Sequence, residues 1–508
     1  MIKGYDIGAN ITLLNVIYHR PKKDLETGKY DTGSLDIIFK DLDTNEKKIQ
    51  HIKDPDYIYY MAKPEYAPQT NLFYIEKDKV DPIKCKYREL KKDIAKRTNN
   101  LEFFYDNLKN GNARQNEKLF TIPSIFNADM HIEDWYRFKF DQLYQNKPFV
   151  PDKLYFDIEV DGIDMKGDFP EPGECPVNAI TLVSDSTKTV YTLLLENDKN
   201  PLIEEFKHKP NLINELKEFV RENVGGWKQE HRFGLDEFDY KIVFYDEEIK
   251  LIHDTFNIIN TLKPDFALAW NIAFDITYLI ERIKVLGYSP EEIICHPDFK
   301  VKEASYYIDH RADKFEERGD YAQISSYTVY IDQLITFASR RKGQRSLAGF
   351  KLDYVGDKIA GVRKLDYSHI TTSIVKLPYL DYYVFVFYNI MDTIVQKCIE
   401  CKVGDIDFVY NKCMMNNTRY AKAHRQTVYL VNRGIKEFDQ MGLVMGCNVN
   451  KSNEKVGFAG AFVADPKKVS DKPKVKINGQ PIMVCDNLDD FDYVNSRFIV
   501  VTQCRIIL

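Results

Sequence analysis

Five side chains in three short stretches carry chemical potential. "LYFDIEVDG", from Leu154 to Gly162, sets Asp157 and Glu159 among Tyr155, Phe156, Ile158 and Val160. Those apolar residues favour an extended chain, and a spacing of two turns both acids to one face of a strand. "AWNIAFDITYL" puts Asp275 just after an apolar strand-like run, where a helix begins, preceded by Asn271 and Phe274. "YNIMD" sets Tyr388 and Asp392 four apart, so on a helix they share a face. Taken singly, each reads as a surface acid or a core tyrosine: Asp and Glu number 77 of 508 residues, so D-x-E triplets arise by chance. Together, four buried carboxylates repel one another unless cations bind among them. Hard divalent ions such as Mg²⁺ or Mn²⁺ prefer oxygen ligands. Two of them about 4 Å apart stabilise both the attacking and the leaving oxygen of a phosphodiester displacement.

The elements that would hold these residues can be read from periodicity. Tyr155–Val160, Ala179–Ser184 and Val190–Leu195 read as strands. Ile249, Ile252, Phe256, Ile259 and Leu262 recur at helical steps. A strand "FALAW" and a helix from about Ile276 to Leu286 follow. The polar excursion Val301 to Tyr330, containing "HRADKFEERGD", suggests a β-hairpin. A last helix runs from about Asp381 to Cys401, with Val384, Tyr388, Met391, Val395 and Cys398 on one stripe. Strands in succession, then helices alternating with strands, predict a mixed α/β layer fold. The first 150 or so residues are rich in short β-type runs. There the basic stretch Lys84 to Arg97 has helical spacing and reads as a solvated helix face rather than a phosphate track.

At 508 residues the chain exceeds one core, and about three domains are expected. A hydrophobic content of 44% and a net charge of −6 fit a folded protein with no global basic field, so nucleic-acid contact would need local basic clusters or bound metal. Nine cysteines, an odd number, fit a reducing compartment, and Cys398 and Cys401 read as ordinary thiols rather than zinc ligands. The apolar run "YYVFVFY" is far short of a membrane span, and a cytoplasmic location is expected.

"FDIEV", "WNIAFDI" and "YNIMD" resemble the three exonuclease motifs of B-family DNA polymerases, and the resemblance is strongest to polymerases of T-even-like bacteriophages. "YIDQL" at Tyr330–Leu334 and "RSLAGFKLDYVGDKIAGVRKLDY" are similar to that group's segment between the second and third motifs. "GFAGAFVADP", Gly457 to Pro466, is similar to its link from exonuclease to polymerase. The resemblance implies a ribonuclease H-like 3′–5′ exonuclease domain at 151–402. A β-rich amino-terminal domain would precede it at 1–150, a helical segment at 403–450 would return to that domain, and an incomplete polymerase palm would follow at 451–508. It implies two Mg²⁺ or Mn²⁺ ions held by Asp157, Glu159, Asp275 and Asp392, with Asp157 bridging both and Tyr388 orienting the attacking water. Asn271 and Phe274 would line the pocket for an unpaired 3′ end, and the 301–330 segment would help separate primer from template.

The chain departs from the family beyond that point. In "DDFDYVNSRFIVVTQCRIIL", Asp492 resembles the first polymerase aspartate and Ser496 its motif serine, but they are four apart rather than three. Arg497, Phe498 and Ile499 stand where Leu, Tyr and Pro belong. Polymerisation by this chain alone is therefore not expected, and a second polypeptide carrying palm, fingers and thumb is one possible partner beside DNA primer-template. Arg340, Arg341, Lys342 and Arg345 form a candidate phosphate contact, with a solvated loop as the equal alternative. The runner-up to an exonuclease is a non-catalytic scaffold or DNA-binding subunit of a split polymerase.

Overall fold

The computed structural model describes residues 2–23, 30–165, 167, 169–342 and 347–447, with two further short strands at 476–477 and 480–481. The chain divides into units 1–449 and 450–508. In the second, Lys476–Ile477 and Gln480–Pro481 pair antiparallel. The expectations for Gly457 to Pro466, for Asp492 and Ser496, and for Arg345 lie outside the described residues.

The first unit opens with a three-stranded antiparallel meander of β1 (Ile11–His19), β2 (Ser34–Asp41) and β3 (Lys47–Lys53). β4 (Asp56–Ala62), β5 (Tyr74–Glu76), β6 (Val80–Lys86) and β7 (Ile125–Phe126) follow, with β4 between β6 and β7. This corrects the reading of Lys84 to Arg97 as one helical face. Lys84 and Lys86 lie on β6, where both pair with Asp56 across the ladder, and the stretch is helical only after it, in a 3-10 turn at Tyr87–Glu89 and in α1 (Leu90–Arg97). Tertiary strand pairing overrides local periodicity there. α2 (Ile132–Tyr144) covers β1.

The central sheet combines β8 (Lys153–Val160), β9 (Val177–Ser184), β10 (Thr189–Leu195), β11 (Asp239–Tyr245) and β12 (Phe266–Ala269). β13 (Ala304–Tyr307) and β14 (Tyr321–Ile324) form the expected hairpin, and β15 (Val329–Asp332) completes the sheet in the order β11-β10-β9-β8-β12-β15. β8, β9 and β10 are antiparallel, whereas β8, β12 and β15 run parallel. β11 lies outside the strands expected from the sequence and pairs parallel with β10 at the sheet edge. Its alternating Tyr240, Ile242 and Phe244 follow a helical insertion that masks the signal.

Alternation along β8 sorts its residues between two cores. Leu154, Phe156 and Ile158 face α3 (Glu248–Leu262) and α4 (Ile272–Val285). Tyr155 faces the other layer, which holds α5 (Gln333–Arg340) and α6 (Tyr382–Val403). Burying each such apolar side chain contributes about 1.5–3 kcal/mol. α6 is not the one-stripe helix its spacing suggests. It is buried on nearly every side, because the segment 352–377 packs against it in addition to the sheet. A Cβ on Gly356 would lie 2.6 Å from a Val395 methyl, so only glycine permits that approach. α7 (Asp405–Met415) follows, and β16 (Leu443–Met445) pairs antiparallel with β5.

Candidate active site

Asp157 and Glu159 project from β8 toward the face covered by α6. A register shift between Glu159 and Val160 ends the regular ladder there, the kind of irregularity that re-aims side chains beside functional sites. From α6, Tyr388 and Asp392 stack one turn apart. Carboxylate oxygens of Asp157, Glu159 and Asp392 all lie within 4.8 Å of one another. Among the described residues, no other group of His, Cys, Asp and Glu has such ligand spacing.

Asp275 arrives differently. It sits in the first turn of α4, on the opposite layer, and accepts a backbone hydrogen bond from Ile158 of β8. It is not in the mutual three-carboxylate group, yet its charge acts on Asp157 and Glu159. The structure starts this helix at Ile272, four residues before the expected Ile276, with Asn271 as its exposed N-terminal flank. The reason is a cap from a distant element. Asp332, buried at the end of β15, accepts from the Ala273 backbone and also from Ile335 N at 2.7 Å. One carboxylate thus caps two helices, α4 and α5.

Electrostatics favour protonated acids or a bound cation. Burial first, then repulsion from Asp392, Asp275 and Glu159, pushes Asp157 well above the ordinary carboxylate range. Burial and Asp392 push Glu159 up to about 8, and burial pushes Asp275 up to about 8. Asp392 is raised by burial, against which Lys364 acts.

Lys364 is the residue the sequence did not single out. Its ammonium pairs with Asp392 and donates to the Tyr388 hydroxyl at 2.9 Å, and its charge lowers the pKa of Asp157, Glu159 and Asp392. It lies in the "GVRKLDY" stretch, but one lysine among 71 Lys and Arg carries no local signal. Even with Lys364 in place, Asp392 Oδ1 is buried without a hydrogen-bond partner. That orphaned oxygen and the hard, all-carboxylate donor set fit Mg²⁺ or Mn²⁺.

Beside the cluster, Phe274 is half-buried with its ring 5.3 Å from the exposed ring of Phe169, a residue with no local signal in the sequence. Two tilted aromatic faces of this kind can take a base by stacking. Arg340 and Arg341, the candidate phosphate contacts, both pair with buried Asp405 at the start of α7, at 2.5 and 2.7 Å, and Lys342 pairs with Glu317.

Residues 118–355 match the family model described as DNA polymerase family B, exonuclease domain. The match supports a B-family DNA polymerase exonuclease domain in this chain. It spans Asp157, Glu159, Asn271, Phe274, Asp275 and Asp332, and ends before Lys364, Tyr388 and Asp392. No curated protein matches the chain. Among the described residues no helix is long and apolar enough to cross a membrane.

Proposed function

We propose that the chain is the proofreading part of a replicative B-family DNA polymerase of the T-even phage type, removing 3′-terminal nucleotides from DNA with two divalent ions. The observation that carries this reading is the three-carboxylate cluster of Asp157, Glu159 and Asp392, with its unpaired Asp392 Oδ1, reached partly from within the family match. Its domain plan is a β-rich 1–150, a ribonuclease H-like 151–402, a returning segment 403–450 and the start of a palm from 451.

In this reading Asp157, Glu159 and Asp392 hold the ions, and Asp275 serves the site from the α4 side. Bound Mg²⁺ or Mn²⁺ supplies charge neutralisation at the attacking and leaving oxygens of the phosphodiester. Tyr388 and Lys364 form a hydrogen-bonded pair at the cluster. That pair is placed to orient a water for attack and to offset the charge that grows on the phosphate. Phe169 and Phe274 stack the terminal base, and Asn271 stands exposed at the start of α4 beside them.

The test is release of 3′ mononucleotides from single-stranded DNA and, for comparison, RNA, with Mg²⁺ or Mn²⁺. Replacing Asp157 and Glu159 together by Ala should abolish release. Release undiminished by that double change would refute the assignment, and preference for RNA would move it to a ribonuclease.

A further inference from the structure

A buried polar relay lies behind the carboxylate cluster and is not needed to build either helix or sheet. Asn389, next to Tyr388 on α6, is fully buried. Its Nδ2 lies 3.3 Å from Asp157 Oδ2 and 3.4 Å from the Asp157 backbone carbonyl. Its Oδ1 accepts from the Thr181 hydroxyl at 2.6 Å, and Thr181 Oγ1 lies 3.3 Å from Thr192 Oγ1. Thr181 is the cross-strand partner of Asp157 on β9, and Thr192 the partner of Thr181 on β10. Both threonines are buried.

The chemistry fixes which way the amide faces. The Asp157 backbone carbonyl can only accept, as can the carboxylate in the ionised form that binds a cation, so the amide must present its NH₂ to them and its oxygen to Thr181. In that orientation the amide does two things at once. It restrains the Asp157 carboxylate against rotation about its side-chain torsions, and it places a hydrogen-bond donor against an anion crowded by three other acids. A hydrophobic side chain of the same size would fill the space and do neither. Packing against the sheet does not require an amide here, since the neighbouring Ile390, Met391 and Ile394 of α6 are apolar and equally buried.

We propose that Asn389, held by Thr181, is a positioning residue that presets Asp157 for a divalent ion. The proposal rests on the reading of the cluster as a metal centre. Partners of this kind, one shell behind a metal ligand, are commonly worth ten- to a hundred-fold in metal affinity.

The measurement is a Mn²⁺ titration of the full chain, following free Mn²⁺ by its paramagnetic resonance signal, together with melting in the presence of chelator. Asn389→Leu removes donor and acceptor at nearly constant volume. Thr181→Val removes only the hydroxyl that holds the amide and keeps the β-branched shape suited to a strand. The expected result is Mn²⁺ binding weakened at least about ten-fold in Asn389→Leu, and weakened to a smaller degree in Thr181→Val, with chelated Thr181→Val still unfolding cooperatively, at a temperature somewhat below the parent's because the buried Asn389 amide oxygen loses its donor. A folded Asn389→Leu that binds Mn²⁺ with parental affinity overturns the proposal. Where Asn389→Leu does not fold, Thr181→Val decides, and parental affinity there overturns it. Asp157→Ala separates the two levels: if it binds Mn²⁺ normally the metal-centre reading itself fails, whereas loss in Asp157→Ala alone sinks only the role of Asn389.

Discussion

Lys364 reaches Tyr388 across the carboxylate cluster, its ammonium 2.9 Å from the tyrosine hydroxyl while it pairs with Asp392. The lysine is held by its partners as much as it holds them: burial would lower its pKa, but Asp392, Tyr388 and Asp157 keep it well above the ordinary value. It is therefore charged at every pH at which the site would work, and it supplies a fixed positive group that does not leave with the metal.

Replacing Lys364 by Met should lower nucleotide release on the order of a hundred-fold, the scale of losing one preorganised electrostatic group. Because Lys364 lowers the pKa of Asp157, Glu159 and Asp392, its loss lets them rise, so the acidic limb of the pH–rate profile should move to higher pH. Lys364→Arg should restore part of the rate. A profile that scales down without moving would show that Lys364 acts on substrate rather than on the acids.

Chelated protein should lose stability as pH rises. Glu159 and Asp275, ordinarily titrating near 4, are pushed up to about 8 in the fold. Between those values the native state binds more protons than the unfolded chain, so unfolding free energy falls with pH. The stabilisation is complete below about pH 4 and lost on approaching pH 8. Mg²⁺ or Mn²⁺ binds the deprotonated acids, so the gain in melting temperature on adding metal should grow across the same interval. Replacing Asp157 by Asn and Glu159 by Gln should flatten both trends, as scanning calorimetry at pH 5 and pH 8 would record.

Phe169 and Phe274 should act together on single-stranded ends. Stacking is worth about 1–3 kcal/mol per base on truncation to Ala, so Phe169→Ala should weaken binding of a single-stranded oligonucleotide by roughly ten-fold. Phe169 is exposed, so its loss should leave melting unchanged. Equal affinity in a fluorescence anisotropy titration would remove it from the base platform.

What the sequence made legible was what depends on short-range spacing. The step of two in "FDIEV" and of four in "YNIMD" gave the facing of Asp157, Glu159, Tyr388 and Asp392, because strand and helix periods are fixed by the backbone. The four expected strands and the hairpin formed where alternation and turn residues indicated. Long-range dependence hid the rest. α4 starts early because Asp332, nearly sixty residues on, caps it. Lys364 enters the cluster from a segment that crosses α6 at Gly356, closer than any Cβ would allow. Lys84 and Lys86 read as helical until β4 is seen beside them. No local pattern announces a partner supplied by tertiary structure.

His19 offers a test of how the amino-terminal sheet is tied to the hairpin. The ring is buried at the end of β1, with Nε2 2.9 Å from Asp36 Oδ2 on β2 and Nδ1 2.9 Å from Glu303 Oε2, just before β13. Both nitrogens face carboxylates, so both must donate, and the ring is an imidazolium. His51 shares Asp36, while Lys22 and Gln323 share Glu303. Burial opposes the charge, but the hydrogen bonds to Asp36 and Glu303 prevail and raise His19 to about 9, and burial of Glu303 is likewise overcome, so that its pKa falls to about 2. A histidine with a raised folded pKa contributes stability that is complete below its unfolded value of about 6.5 and is lost as pH rises through about 9. His19→Gln should therefore cost on the order of 3 kcal/mol at pH 6, the scale of breaking a buried pair. The difference from the parent should shrink steadily toward pH 9.5, because there the parent has lost the same charge. Urea unfolding at both pH values reads this directly. A gap of constant size would mean that His19 contributes by packing and not as a charged tie between β1 and Glu303.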